Sequence, residues 1–196
     1  SSGHDISMLI NSINSMSSNL QKLVSKEKEN TKIYSEMEVA RKLQASFIHQ
    51  KDKQLKLELH NKYILDIFAC FDAGNLISGD IYDITESDNK VNIFIGDTVG
   101  KDISAAIFSL IVMTKYKAID QNKSPKTILS ELNEFICAQN KQNMFISAIY
   151  CSIDLKTLDL TISNAGHPYP IIKNLENNIS NIIKLESKVG GVLGIN

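Results

Sequence analysis

Asp80 and Asp97 each follow a glycine, in Ser78-Gly79-Asp80-Ile81-Tyr82-Asp83 and in Gly96-Asp97-Thr98-Val99-Gly100-Lys101. Carboxylates are hard oxygen ligands, and with no cysteine or histidine close by in sequence they suit Mg2+ or Mn2+ rather than Zn2+. A glycine before each acid permits close approach of a ligand or of another backbone. Between the acids, Ser87-Asp88-Asn89-Lys90 reads as a tight turn, because Asp and Asn tolerate left-handed backbone angles. A hairpin centred on Asp88 and Asn89 sets Ser87 opposite Lys90, Ile84 opposite Ile93 and Asp80 opposite Asp97. Such partners lie about 4.5–5.5 Å apart at Cβ. At ~5 Å and an effective dielectric of about 20, two carboxylates repel by roughly 3 kcal/mol. A divalent cation between them offsets that cost; in the other reading, each acid caps a turn or a helix and faces solvent. Tyr82, Ile84, Val91, Ile93 and Ile95 share the face of the pair, which places the acids at the rim of a core-directed surface. Asp83 points to the opposite face and is a secondary candidate.

These residues need elements to hold them. Tyr63 to Phe71 reads as a strand after a lysine-rich connection at 51–56, and Asp72-Ala73-Gly74-Asn75 as a turn. Ile81 to Thr85 and Val91 to Ile95 form the hairpin. Asp102 is an N-cap for a helix over Ile103 to Asp120, and Pro125 opens a second helix to about Gln139. Strands resume at Phe145 to Ile153, Leu158 to Ser163, Pro170 to Lys173 and Ile182 to Leu185. Strands on both sides of a helical pair predict an α+β domain of antiparallel sheets with helices on a face. The loop from Asp97 to Asp102 joins strand to helix, where exposed backbone groups bind ions or phosphate. Lys101 in that loop is placed to meet phosphate or solvent. His167, in Asn164-Ala165-Gly166-His167-Pro168, follows a strand end and precedes proline; it is read as part of a turn held by side-chain hydrogen bonds, and its other reading is a general acid.

Ahead of this domain, Ile6, Leu9, Ile13, Met16, Leu20 and Leu23 recur at alternating spacings of three and four, the a/d seam of a parallel coiled coil. The apolar stripe resumes out of phase at Ile33, Met37, Ala40, Leu43 or Gln44, and Phe47, a discontinuity in the supercoil. No glycine or proline interrupts Asp5 to Gln50, so one helix and a homodimer through it are expected. The division is therefore a signalling helix over 1–50 and a globular domain over 51–196.

Bulk properties narrow the function. Of 196 residues, 43% are hydrophobic, enough for a sizeable core, and a net charge of −1 argues against nucleic acid as a partner. Arg41 is the single arginine, so charge on a phosphate must be met by lysine or metal. Cys70, Cys137 and Cys151 lack the paired spacing of a zinc site and read as reduced thiols of a cytoplasmic protein. No stretch approaches the ~20 apolar residues of a membrane span. Any link to a membrane would run through a segment upstream.

Five strings occur in the order seen in bacterial PPM-type serine/threonine phosphatases: Glu38-Val39-Ala40-Arg41-Lys42-Leu43-Gln44, Ser78 to Asp83, Gly96 to Lys101, Asn164 to Pro168, and Gly190 to Ile195. From about Glu36 to Asn196 the chain most closely resembles the sporulation stage II protein E and RsbU class. That resemblance implies an antiparallel β-sandwich flanked by helices and a centre of two Mn2+ or Mg2+ ions. It also implies hydrolysis of phosphoserine or phosphothreonine on a protein by a metal-activated water. Asp80 and Asp97 match the family's metal-binding acids, which makes them the catalytic and metal candidates, and Thr98 matches the residue whose backbone carbonyl is a ligand. By analogy with the class, the substrate is a phosphorylated anti-sigma-factor antagonist. Ser78 stands where the family usually has glycine, and Asp102 where a small residue is common. The family's later acidic motifs, which complete the metal site, do not appear before the sequence stops at Asn196. The alternative reading is a degenerate, non-catalytic relative used for dimerisation or partner binding. Asp5-Ile6-Ser7-Met8-Leu9-Ile10, with Ile13 to Met16 and Leu20, is similar to the second helix of a HAMP signalling module.

Overall fold

The structure, a computed structural model, describes residues 2–47, 52–59, 63–71, 78–87, 89–100, 102–140, 143–174, 179–182 and 190–195. Its elements in chain order are α1 (Ser2–Phe47), β1 (Lys53–Glu58), β2 (Ile64–Ala69), β3 (Asp80–Ser87), β4 (Lys90–Thr98), α2 (Ile103–Ala118), α3 (Pro125–Gln139), β5 (Ile146–Asp154), β6 (Leu160–Ala165), β7 (Ile171–Asn174) and β8 (Ile179–Ile182). The chain divides into two compact units, Ser1–Val39 and Ala40–Asn196. The first is helix throughout its described length, and Met16, Leu20 and Leu23 stand exposed along it. No described helix is long and apolar enough to cross a membrane.

In the second unit, β3-β4-β5-β6 make a four-stranded antiparallel sheet, and β1–β2 and β7–β8 are separate antiparallel pairs. Helices α2 and α3 cover one face of the sheet. Ile81, Phe94, Ile146, Ala148 and Tyr150 from the sheet pack there against Val112, Met113 and Tyr116 of α2 and Ile128, Leu132 and Ile136 of α3. Phe94 stacks on Tyr116 at 4.5 Å between ring centroids, and Tyr150 meets Tyr116 edge-on at 6.1 Å. Full burial of each such side chain stabilises by about 1.5–3 kcal/mol.

The opposite face carries the smaller core. Tyr82, Ile84 and Val91 are buried there against Leu55, Leu57, Leu65 and Ile67 of the β1–β2 pair. The acid-bearing face is core-directed, as its apolar residues predict, and the core it meets is the smaller one, closed by the β1–β2 pair. The β1–β2 pair covers the half next to the β3–β4 turn, whereas Ile95 at the other end is 41% exposed and both acids are exposed. Strand β1 itself replaces the predicted lysine-rich connection. Leu55 and Leu57 alternate with Gln54, Lys56 and Glu58, so the leucines face inward and the polar residues outward.

Three other boundaries move. Leu158 adopts φ 64° and its N–H bonds the Asp154 carbonyl at 2.8 Å, closing a turn that delays β6 to Leu160. Strand β8 starts at Ile179 rather than Ile182, because Ile171 to Asn174 pair with Ile182 to Ile179. Helix α2 ends at Ala118, where Ile119 turns to extended backbone. The turn over 72–75, Asp88, Lys101 and the strand ending at 183–185 lie outside the described residues.

Candidate active site

The hairpin register is the one the turn predicts: Ser87 pairs with Lys90, Ile84 with Ile93 and Asp80 with Asp97. In an antiparallel pair, directly opposed side chains share a face, so the two carboxylates stand side by side at the open end of β3 and β4. Both are exposed, and solvent screening brings their repulsion below the roughly 3 kcal/mol of an effective dielectric of about 20.

One step beyond the pair, Gly79 lies against Thr98. The Thr98 N–H bonds the Gly79 carbonyl at 3.3 Å, and the Thr98 hydroxyl donates to the same oxygen. A Cβ built on Gly79 would stand 2.8 Å from the Thr98 carbonyl and 2.9 Å from its hydroxyl. Only a residue without a side chain leaves this space open beside the carbonyl. Two carboxylates and a main-chain carbonyl therefore gather at one end of a strand pair. All are hard oxygen donors, a set that fits Mg2+ or Mn2+. Among the described residues no third acid, histidine or cysteine joins them in a metal-binding group.

The two departures from the resembling family's pattern have structural uses. The Ser78 hydroxyl accepts from the Asp80 N–H at 3.1 Å and meets Asp80 Oδ2 at 3.3 Å, which fixes the first acid's side chain. Asp102 caps α2, its Oδ1 accepting from the Ala105 N–H at 3.0 Å, and so anchors the far end of the loop that begins at Asp97.

Gln44 had no predicted role beyond filling an apolar stripe as an alternative to Leu43. Leu43 is 52% exposed, and it is Gln44 that is fully buried. Its amide donates to the Ser78 carbonyl at 2.6 Å and to Ser109 Oγ on α2 at 3.0 Å. The Ser78 N–H returns to Gln44 Oε1 at 3.4 Å. One side chain thus joins the last turns of α1 to the segment before Asp80 and to α2. Its sequence signals are a polar residue in a helical apolar stripe and its place at the end of the string Glu38 to Gln44.

His167 lies closer to the acids than its turn suggests. Asp97 pairs with Ser147 on β5, and Ser147 Oγ is 2.9 Å from His167 Nδ1. Asp80, Asp97, Ser147 and His167 therefore form a row across the sheet end. Asn164 holds the turn as predicted: its Nδ2 donates to the His167 carbonyl and its Oδ1 accepts from the His167 N–H, both at 2.8 Å. Burial lowers the His167 pKa below its ordinary value, partly opposed by the Asp97 carboxylate, the Ser147 backbone and the Asp80 carboxylate. Asp83 does not join the row. It is buried on the helix-covered face, lining a small cavity with Thr85 and Tyr116.

Comparison with known proteins matches the chain to a family. A family model described as stage II sporulation protein E (SpoIIE) matches residues 87–196, more than half of the chain. The phosphoserine phosphatase RsbU of Bacillus subtilis is 29% identical over 164 residues, covering 83% of this chain and 46% of the relative. Protein IcfG of Synechocystis is 27% identical over 201 residues, covering 88% of this chain and 31% of the relative. The chain thus spans less than half the length of either. A crystal structure of RsbU and RsbW domains from Mycobacterium tuberculosis has the same fold, with a TM-score of 0.55 at 19% identity, over 63% of this chain and 34% of that one.

Proposed function

Because this chain belongs to the stage II sporulation protein E family, we propose that it is the phosphatase domain of a signalling protein, hydrolysing phosphoserine or phosphothreonine on a regulatory protein. The observation that carries the reading is the register pairing Asp80 with Asp97, beside the space Gly79 leaves at the Thr98 carbonyl. Asp80, Asp97 and the Thr98 carbonyl would hold Mn2+ or Mg2+. When bound, such ions lower the pKa of a water and neutralise phosphoryl charge. The protein's own part is placement. Ser78 orients the Asp80 carboxylate, Asp102 and α2 fix the loop after Asp97, and the exposed sheet end admits a phosphorylated side chain. By analogy with the class the chain resembles, a phosphorylated anti-sigma-factor antagonist is the substrate to try first.

The exposed stripe of Met16, Leu20 and Leu23 supports pairing of the first unit with a second copy, in the manner of a HAMP-like input helix. Gln44 offers a path from such a helix to Asp80. The full-length protein with Mn2+ should release phosphate from a phosphoserine protein, and Asp80→Asn and Asp97→Asn should each slow release at least 100-fold. Equal release by wild type and both variants would remove the site assignment, whereas no release at all would indicate a non-catalytic binding module.

A further inference from the structure

The row across the sheet end contains two acids and a hydroxyl–imidazole pair, and the acids alone leave the second pair without a use. The fold does not need the imidazole. Asn164 secures residue 167 through its backbone N–H and carbonyl, so the turn would form with another side chain there. Gly166 holds the same turn in the left-handed region at φ 68°, with Val192 Cγ1 2.6 Å from where a Cβ would stand. The result is a rigid corner that delivers a half-buried imidazole to Ser147, directly beside Asp97. Ser147 engages Nδ1, which leaves Nε2 as the ring's second hydrogen-bonding atom.

Chemically the row is one-sided. Cations held by the acids would meet phosphoryl charge, but a phosphoryl group also has oxygens to be oriented, and the single arginine, Arg41, is on α1. Ser147 and His167 are neutral hydrogen-bonding groups in the same row. We propose that His167 contacts the phosphoryl group of the substrate through Nε2, with Ser147 positioning the ring. This rests on the phosphatase reading above and adds a substrate-binding residue to it. No covalent bond to His167 forms or breaks.

The test is binding of inorganic phosphate to the Mn2+-loaded full-length protein, by calorimetry, alongside its competitive inhibition of phosphate release. His167→Ala should weaken phosphate binding about 10- to 100-fold, the loss that follows removal of a hydrogen bond to a charged group. Mn2+ affinity and melting temperature should hold. His167→Gln, whose amide nitrogen reaches the place of Nε2, should restore most of the affinity. His167→Asn, which reaches only the place of Nδ1, should not. Unchanged phosphate affinity in His167→Ala, or rescue by Asn as complete as by Gln, overturns the proposal while leaving the phosphatase reading intact. Failure of the wild type to bind or release phosphate overturns both.

Discussion

Gln44 on α1 donates a 2.6 Å hydrogen bond to the carbonyl of Ser78, whose hydroxyl meets Asp80 Oδ2 at 3.3 Å. Its second bond, to Ser109, reaches α2. Gln44→Leu keeps the volume but leaves the Ser78 carbonyl and N–H without their partner, a cost of about 1–3 kcal/mol for a buried group. Thermal denaturation should show a melting temperature several degrees lower, and Mn2+ titration a weaker affinity. A destabilised variant with wild-type Mn2+ affinity would limit Gln44 to packing.

Gly79 allows the approach to Thr98. In Gly79→Ala the new Cβ meets backbone and hydroxyl oxygens of Thr98 inside 3.0 Å, and a backbone oxygen cannot swing aside as a flexible side chain does. The strand ends must part, at a cost of about 1–3 kcal/mol. Both stability and the alignment of Asp80 with Asp97 should suffer. An alanine variant with wild-type melting temperature and activity would contradict the close packing described.

The depressed pKa of His167 gives a pH dependence whose sign follows from burial. Its imidazole sheds its proton more readily folded than unfolded, so the unfolded chain binds more protons as pH falls below about 6.5. Stability at this position therefore falls with acidification from the unfolded pKa down to the folded one, and is flat above. Because Asp97 raises the value against burial, Asp97→Asn should move the His167 NMR titration midpoint lower still. A midpoint above 6.5, or a rise in Asp97→Asn, would be the wrong sign.

Burial pushes the Cys151 thiol up to about 11, whereas Cys70 is exposed. The thiolate is the reactive form. At pH 8, iodoacetamide should label Cys70 in the folded protein and reach Cys151 only on unfolding, as peptide mapping would show. Rapid labelling of both would place Cys151 outside the sheet's covered face.

The hairpin was legible because its turn residues carry left-handed tolerance and the register then follows by counting, which set Asp80 against Asp97. Both helices were legible from local signals, the Asp102 cap and Pro125 in the first turn. Strand β1 was missed because three lysines in six residues masked the alternation of Leu55 and Leu57. Periodicity tells which residues share a face, so it grouped the acids with Tyr82 and Ile84 on a core-directed surface but did not show that the β1–β2 pair is the layer covering it. Contacts between distant segments were not readable at all. Gln44 and Ser109 are 65 residues apart, and Ser147 and His167 meet only because β6 pairs with β5 and turns at Gly166.

The most direct measurement is Mn2+ binding to the full-length protein, followed by electron paramagnetic resonance, for wild type, Asp80→Asn, Asp97→Asn and Asp83→Asn. Loss of affinity by tenfold or more in the first two variants, with Asp83→Asn retaining wild-type binding, is the outcome that the facing carboxylates require. Equal Mn2+ affinity in wild type, Asp80→Asn and Asp97→Asn would show that these carboxylates do not hold the ion.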